Sequence, residues 1–320
     1  TRQRPPQHPP DPREIQQLEQ LCIQDEPAFC IAGCPLHVDV RAMLAAAARG
    51  DLASAAKVFQ SKAPLAAILG RICDQPCAAV CKRGEIGGAI EIGRIERACV
   101  EHGGHVRPSH HVMPRDEHVA VVGGGLSGLT AAGQLARKGY RVTLFDSADA
   151  LGGRLRLFPP EVLPPDILEA EITTLRSMGV EVQLEQPLGV DDETLTLAAL
   201  LDQYPAVCLC IGWEDCLKQL RSVAPDTDAA VGSVDPVTLA APAKGVFCSG
   251  AADRSAGGAT AAYSPVAAVA AGVRLATSVD RFLKGEPLMA GRDKEGPHAT
   301  ALQTNVAGIE PLPPVTATDD

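Results

Sequence analysis

The stretch CIQDEPAFCIAGCP, Cys22 to Pro35, sets three cysteines at a spacing of C-x7-C-x3-C-P. Closely spaced thiolates ending in a Cys-Pro pair are the donor pattern of an iron–sulfur site, and this one is short of a fourth thiol. A second group, Cys73, Cys77 and Cys81, reads C-x3-C-x3-C. With Cys99 the two groups hold seven of the eleven cysteines, all in the first hundred residues. Disulfide frameworks belong to small secreted domains. Clustered thiols joined to a nucleotide-binding sequence indicate metal in a reducing compartment, so a cytoplasmic location is expected.

The second chemical signal is GGGLSG, which places Gly123, Gly125 and Gly128 in the pattern G-x-G-x-x-G. Strand-like HVAVV precedes it, an Ala-rich helical run follows, and Asp146 ends the next strand 23 residues after Gly123. The first glycine permits the turn, the second lets a pyrophosphate approach the backbone, and the third lets helix pack on strand. Leu126 and Ser127 open the helix, whose N–H groups and positive dipole end would face the pyrophosphate. Asp146 would accept hydrogen bonds from the ribose and repel a 2′-phosphate. A glycine turn without ligand is the plain alternative. After the acidic strand end comes LGGRLRL, where Gly153 and Arg154 suit a flavin pyrophosphate running along the backbone. The late segment GVFCSGAADRSAGGATAAYSPVAAVAAG resembles the closing strand–loop–helix of flavoprotein disulfide-reductase-like folds. There Gly250, Ala251 and the helix start at Ser264 would meet an FAD, and the helix N-terminus would favour an anionic reduced flavin.

These elements set the organisation. Residues 1–13 read as a proline-rich tail and 14–104 as an all-α domain with breaks at Gly50-Asp51 and Pro64. Residues 105–117 read as a linker, whose His105, His110 and His111 are better taken as solvated than as ligands. Residues 118–285 read as a Rossmann-like α/β domain binding FAD, and 286–320 as an extended tail. The expected fold class is therefore α/β with an N-terminal all-α iron–sulfur domain. Cys208, Cys210 and Cys248 lie in apolar strands and read as small buried hydrophobes, while Cys216 reads as a free loop thiol. A net charge of -10 argues against a nucleic-acid partner or an anionic membrane surface. No apolar run is long enough for a membrane span, and the polar N-terminus has no signal-peptide pattern.

The two cysteine groups, GRIC at 70–73, IEIGRIER at 90–97, VAVVGGGLSGLTAA and GVFCSG with its helix, in this order, resemble the small subunit of glutamate synthase and the N-terminal half of dihydropyrimidine dehydrogenase. The resemblance covers about residues 18–285 with one large gap. It implies a helical domain with two [4Fe-4S] clusters ligated crosswise. The family's first group reads C-x2-C-x4-C-x3-C-P, so Asp25 stands where a thiolate is usual. One cluster would rest on Cys22, Asp25, Cys30 and Cys81, the other on Cys34, Cys73, Cys77 and Glu96, with Cys99 one helical turn on as the alternative to Glu96. The family's second group has five residues in its first gap, where this chain has three. The family also reads an acid after GVFCSG, where this chain has Ala251.

One further departure bears on function. In the family, an NADPH-binding domain interrupts the flavin domain after a strand like AVCLCIG. Here only the 21 residues 213–233 separate that strand from the resumption near Val234. They contain no glycine fingerprint and are too few for a βαβ unit. The expected function is an electron-transfer subunit relaying electrons between FAD and two [4Fe-4S] clusters. Its partner would be another redox subunit of a hetero-oligomeric complex, whether iron–sulfur, molybdenum or tungsten, hydrogenase or 2-oxoacid type. A self-contained flavin reductase for a quinone or ferredoxin is the first alternative, and a structural adaptor with degenerate cofactor sites the second. No general acid/base or nucleophilic constellation is present.

Overall fold

The computed structural model describes residues 26–104, 112–190, 194–223, 234–249 and 263–310 except 305 and 307. The helical part starts with α1 (Phe29–Ala32), α2 (Val40–Ala48) and α3 (Leu52–Lys62). Asp39 and Asp51 are the N-caps of α2 and α3, accepting from Ala42 N and Ser54 N at 3.0 Å each. Gly50, at φ +75°, ends α2. Then come α4 (Ala66–Ile72), α5 (Pro76–Ala79) and α6 (Ile92–His102). Met43, Phe59, Ile68, Leu69 and Ile92 are buried between these helices.

The α/β part is a five-stranded parallel sheet of order β3-β2-β1-β6-β7. Its strands are β1 (His118–Val122), β2 (Arg141–Phe145), β3 (Glu181–Gln183), β6 (Ala206–Leu209) and β7 (Val246–Cys248); β4 (Leu188–Gly189) and β5 (Leu195–Thr196) pair separately. The central strands are buried almost throughout and correspondingly read as unbroken apolar runs. Helices α7 (Leu126–Arg137), α8 (Pro165–Ser177), α9 (Leu197–Gln203), α10 (Trp213–Val223) and α11 (Pro265–Lys284) complete the unit. The chain builds β1, β2 and β3 outward, then returns to the other side of β1. The strand order therefore reverses between β1 and β6, the place where doubly wound sheets open a ligand crevice at their carboxyl ends. The α/β class with an all-helical N-terminal part is as the sequence indicates.

Two local readings need correction. The segment after β6 is helical: residues 213–223 form α10, which buries Cys216, Leu217 and Leu220. Cys216 is thus a fully buried helix residue, not a loop thiol. Its Sγ faces the carbonyls of Leu209 and Ile211.

The described residues of 286–304 form no regular elements, yet they pack back, first on α11 and then on the helical part. The Arg292 guanidinium is buried and donates to Ser278 Oγ at 2.7 Å and to the Arg274 and Val237 carbonyls. Further along, His298 N donates to Ala32 O, His37 Nε2 donates to Gly296 O at 2.8 Å, and Glu26 accepts from Ala301 N. Among the described residues no helix is long and apolar enough to cross a membrane.

Helix α11 lies along α7 and is tied to the sheet at Asp280, whose carboxylate accepts from Lys138 Nζ (2.9 Å), Tyr140 Oη (2.8 Å) and Lys284 Nζ (3.0 Å). Burial would raise this carboxyl, but the three donors outweigh it and hold it down at about 2. A depressed carboxyl stabilises the fold above its unfolded pKa, and that contribution is lost as pH falls towards its folded value. Asp280→Asn is expected to lower the unfolding free energy by about 2 kcal/mol at neutral pH. The difference from the parent chain should shrink below about pH 4, as urea titrations at a series of pH values would measure.

Candidate functional site

At the switch point, the three motif glycines each meet a different physical demand. Gly123 has φ +101°, and a Cβ there would lie 2.4 Å from Cys210 O. A Cβ on Gly128 would lie 1.8 Å from Gly123 O, so α7 can approach the turn only without a side chain. Gly125 is different: its φ is ordinary, and a Cβ would meet nothing within 4 Å. The space it leaves opens into a cleft bordered by Ser127, Arg154, Cys210, Ser249, Tyr263 and Ala268. Ser127 Oγ is buried there beside the Cys210 thiol. A glycine needed neither for φ nor for packing, at the start of a helix, fits a pyrophosphate lying against the turn.

The neighbouring residues converge on the same turn. Asp146 accepts from Gly124 N and from Ala148 N through separate carboxylate oxygens, so it braces the turn it was expected to serve. Each oxygen keeps acceptor capacity for a ribose hydroxyl. Gly152 N donates to Gly124 O at 2.8 Å, and Gly153, at φ +48°, lies against Gly125. Arg154 sits over the Tyr263 ring at 5.2 Å and borders the cleft. Ser264 has its hydroxyl directed to Asp74 Oδ2 at 2.8 Å and accepts from Ala267 N. Gly250 and Ala251 lie outside the described residues. Burial pushes the Cys210 thiol up to about 12, and both Cys208 and Cys248 are fully buried, as expected of thiols serving as small hydrophobes.

The helical part gathers the second set of donors. Cys30 lies on α1, and Cys34 follows it in the loop. Cys73 directly follows α4, Cys77 is in α5 and Cys81 follows it, while Glu96 is on the buried face of α6. Burial alone pushes the Glu96 carboxyl up to about 7. Burial is also the main cause that raises the thiols of Cys34, Cys73 and Cys77, and the Glu96 charge adds to it in all three. Burial followed by the Cys81 charge raises Cys30. Cys34, Cys73 and Cys77 each lie within electrostatic reach of Glu96, Cys77 also of Cys34 and Cys30, and Cys30 of Cys81. Cys99, also raised by burial and then by Glu96, is fully buried on α6. Cys22 and Asp25 lie outside the described residues. The ten described cysteines are free thiols.

Among the described residues no three His, Cys, Asp or Glu side chains converge tightly enough for a single metal ion. A four-iron cube takes its ligands from separate corners; the donors here are the buried Cys34 and Cys77, the partly buried Cys30, Cys73 and Cys81, and the buried Glu96 carboxyl. The thiols are also soft donors, which fits iron–sulfur chemistry.

Sequence reasoning did not find the role of Asp74 or of Glu171. Glu171, buried on α8, accepts from Ala67 N at 3.2 Å, across 104 residues of sequence. Asp74 accepts from Ser264 and Val266 across 190 or more. No local pattern signals either contact.

Comparison with known proteins agrees with this geometry. Residues 7–106 match the family described as dihydropyrimidine dehydrogenase domain II, 4Fe-4S cluster, and residues 121–178 match the NAD(P)-binding Rossmann-like domain. The chain is 31% identical over 210 residues to the NADP(+)-dependent formate dehydrogenase subunit beta of Moorella thermoacetica, covering 58% of this chain and 29% of that protein. It is 33% identical over 175 residues to the glutamate synthase [NADPH] small chain of Bacillus subtilis, covering 53% and 35%. It is 28% identical over 199 residues to the NAD-dependent dihydropyrimidine dehydrogenase subunit PreT of Escherichia coli K12, covering 60% and 47%. The chain thus spans less than half the length of each of these relatives. It joins a 4Fe-4S domain of the dihydropyrimidine dehydrogenase type to a Rossmann-like NAD(P)-binding domain, and is related to the oxidoreductases that include the glutamate synthase small chain and dihydropyrimidine dehydrogenase.

Proposed function

We propose that the chain is an electron-transfer subunit of a larger oxidoreductase complex, relaying electrons between an FAD in the switch-point cleft and two [4Fe-4S] clusters in the helical part. The observation that carries this reading is the short connection after β6: residues 213–233, of which 213–223 form α10, are too few for a second nucleotide-binding βαβ unit. Relatives named as subunits of formate dehydrogenase and dihydropyrimidine dehydrogenase support a partner of the redox-subunit kind.

Under this reading Cys34, Cys73, Cys77 and Glu96 hold one cluster, and Cys22, Asp25, Cys30 and Cys81 the other. Gly123, Gly125, Leu126, Ser127 and Gly128 cradle the pyrophosphate, Asp146 takes the ribose, and Gly153 and Arg154 follow the chain towards the flavin end. Gly250, Ala251 and Ser264 close the site. The cofactors supply the chemistry, the flavin as a two-electron carrier and the clusters as one-electron carriers. The protein's part is to gather the donors and to keep water from the thiols, which burial and the short helices around them serve. Binding iron must release protons from thiols that burial has raised, so cluster loading is expected to be coupled to folding of the helical part.

Three outcomes test the proposal. Fully loaded protein is expected to contain about eight iron and eight acid-labile sulfur atoms; Asp25→Ala should leave one cluster labile, and iron near half that amount in the parent chain would overturn the two-cluster assignment. Gly125→Val fills space that is empty in the protein, so it should leave the unfolding midpoint nearly unchanged while abolishing FAD released on denaturation. Full flavin content in that variant would place the dinucleotide elsewhere. NADH or NADPH should not bleach the flavin of the purified chain in stopped-flow mixing, and should do so only with its partner present. Rapid bleaching of the chain alone would favour the self-contained reductase.

A further inference from the structure

The helical and α/β parts meet through two contacts of the same kind, one running in each direction. Helix α4 has a poor start of its own: its N-cap, Leu65, is in the left-handed region at φ +53° and offers no capping side chain. Glu171 from α8 supplies the missing acceptor, taking the Ala67 N–H at 3.2 Å in a buried position. In return Asp74, two residues past the end of α4, reaches the start of α11. Its Oδ1 accepts from Val266 N at 3.2 Å, and its Oδ2 from the Ser264 hydroxyl at 2.8 Å.

This exchange satisfies the first turn of α11 completely. Pro265 has no N–H, Val266 N goes to Asp74, Ala267 N to Ser264 Oγ, and Ala268 N to Ser264 O. The carboxylate also sits where the helix dipole favours a negative charge. The anion at this helix start is therefore an internal one, contributed by the cysteine-bearing segment.

The position of these contacts gives them a consequence. Helix α4 has seven residues and ends on Cys73, whose N–H it binds through Leu69 O. A carboxylate anchors it to the α/β part at each end. Tyr263 and Ala268, on either side of the Asp74 contact, border the switch-point cleft.

We propose that Glu171 and Asp74 are reciprocal positioning residues, each capping a helix of the opposite part, and that together they fix the Cys73–Cys77 segment in place beside the mouth of the dinucleotide cleft. The purpose assigned to this joint, a constant separation between a thiol-held cluster and the dinucleotide, rests on the function proposed above; the joint itself does not.

The test is hydrogen–deuterium exchange of the full chain, with urea unfolding to establish that each variant is folded. Asp74 is exposed, so Asp74→Ala is expected to fold. Loss of a capping acceptor should speed exchange at Val266–Ala268 about fivefold. The distinctive expectation is that Ala66–Cys73, which loses no bond of its own, also exchanges faster. Glu171→Ala should produce the converse pattern. Asp74→Asn and Glu171→Gln retain an acceptor and should restore protection in both segments.

In iron-loaded protein the paramagnetic resonance spectrum of the reduced clusters should change in the Ala variants and return to that of the parent in the Asn and Gln variants. Exchange changes confined to the helix that lost its own acceptor, or no change at either, would overturn the reciprocal joint. A parent chain that takes up no iron would overturn the proposed function while leaving the exchange result to decide the joint.

Discussion

The α/β part depends on one close approach, the contact between Gly128 and the carbonyl of Gly123. It lets α7 start directly above β1, and that placement carries much else. Gly272 of α11 packs against the same helix, where a Cβ would lie 2.5 Å from Ser127 O and 2.7 Å from Thr130 Cβ. Two helices that approach this closely can run side by side across the sheet, and the start of α11 is thereby delivered to the edge of the cleft. The same approach leaves the first N–H groups of α7 aimed at the space in front of Gly125. A substitution at Gly128 would therefore be felt in helix packing and in ligand binding together, whereas one at Gly125 separates them.

The helical part is built on a different balance. Its helices are short, and isolated helices of this length do not persist in water. They are held by a common apolar core around Met43, Phe59 and Ile68, by aspartate caps and by contacts from outside. The expected ligand thiols lie in short helices, at helix ends and in connections, and the backbone between them takes unusual conformations: Gln75, between Cys73 and Cys77, is in the left-handed region at φ +52°. The Gln75 side chain in turn fills the space over Gly93 of α6, three residues before Glu96. Donors from three elements thus depend on backbone conformations that only their neighbours enforce. External supports, from Glu171 on one side and residues 296–301 on the other, are what such a scaffold requires.

Much of this was legible in the sequence because it is written in local patterns. Glycine spacing, an acid ending the next strand and unbroken apolar runs are signals within a few dozen residues, and the strands and helices around the cleft follow them. What the sequence concealed is of two kinds. The amphipathic helix α10 was hidden by its charged first turn, WEDC, which reads as loop but is the acidic start that a helix N-terminus favours. The docking of residues 286–304 was hidden because proline, glycine and charge look the same in a free tail and in a packed one. There the decisive residue is Arg292, which pairs with the nearby Glu295 and Leu288 O but also reaches Ser278 Oγ and the Arg274 and Val237 carbonyls, 14 to 55 residues away. Asp74 and Glu171 belong to this second kind.

The direction in which α10 joins β6 to β7 ties these observations together. Its buried face closes the sheet beside β6, and Cys216 on that face lies next to Cys248 of β7, whose thiol is raised first by its hydrogen bond with Cys216 and then by burial. Helix α10 packs chiefly against α9 and buries Leu217 and Leu220 beside Cys216. The sheet is complete through β7 with apolar contacts on both faces, and α11 returns from it across α7. The switch-point crevice is lined by the glycine turn with Arg154, Cys210 and Ser249, and Tyr263 and Ala268 border it on either side of the point where Asp74 binds the start of α11. The cysteine-bearing segment is thereby attached at the rim of the crevice, so a shift of α11 would be felt at both.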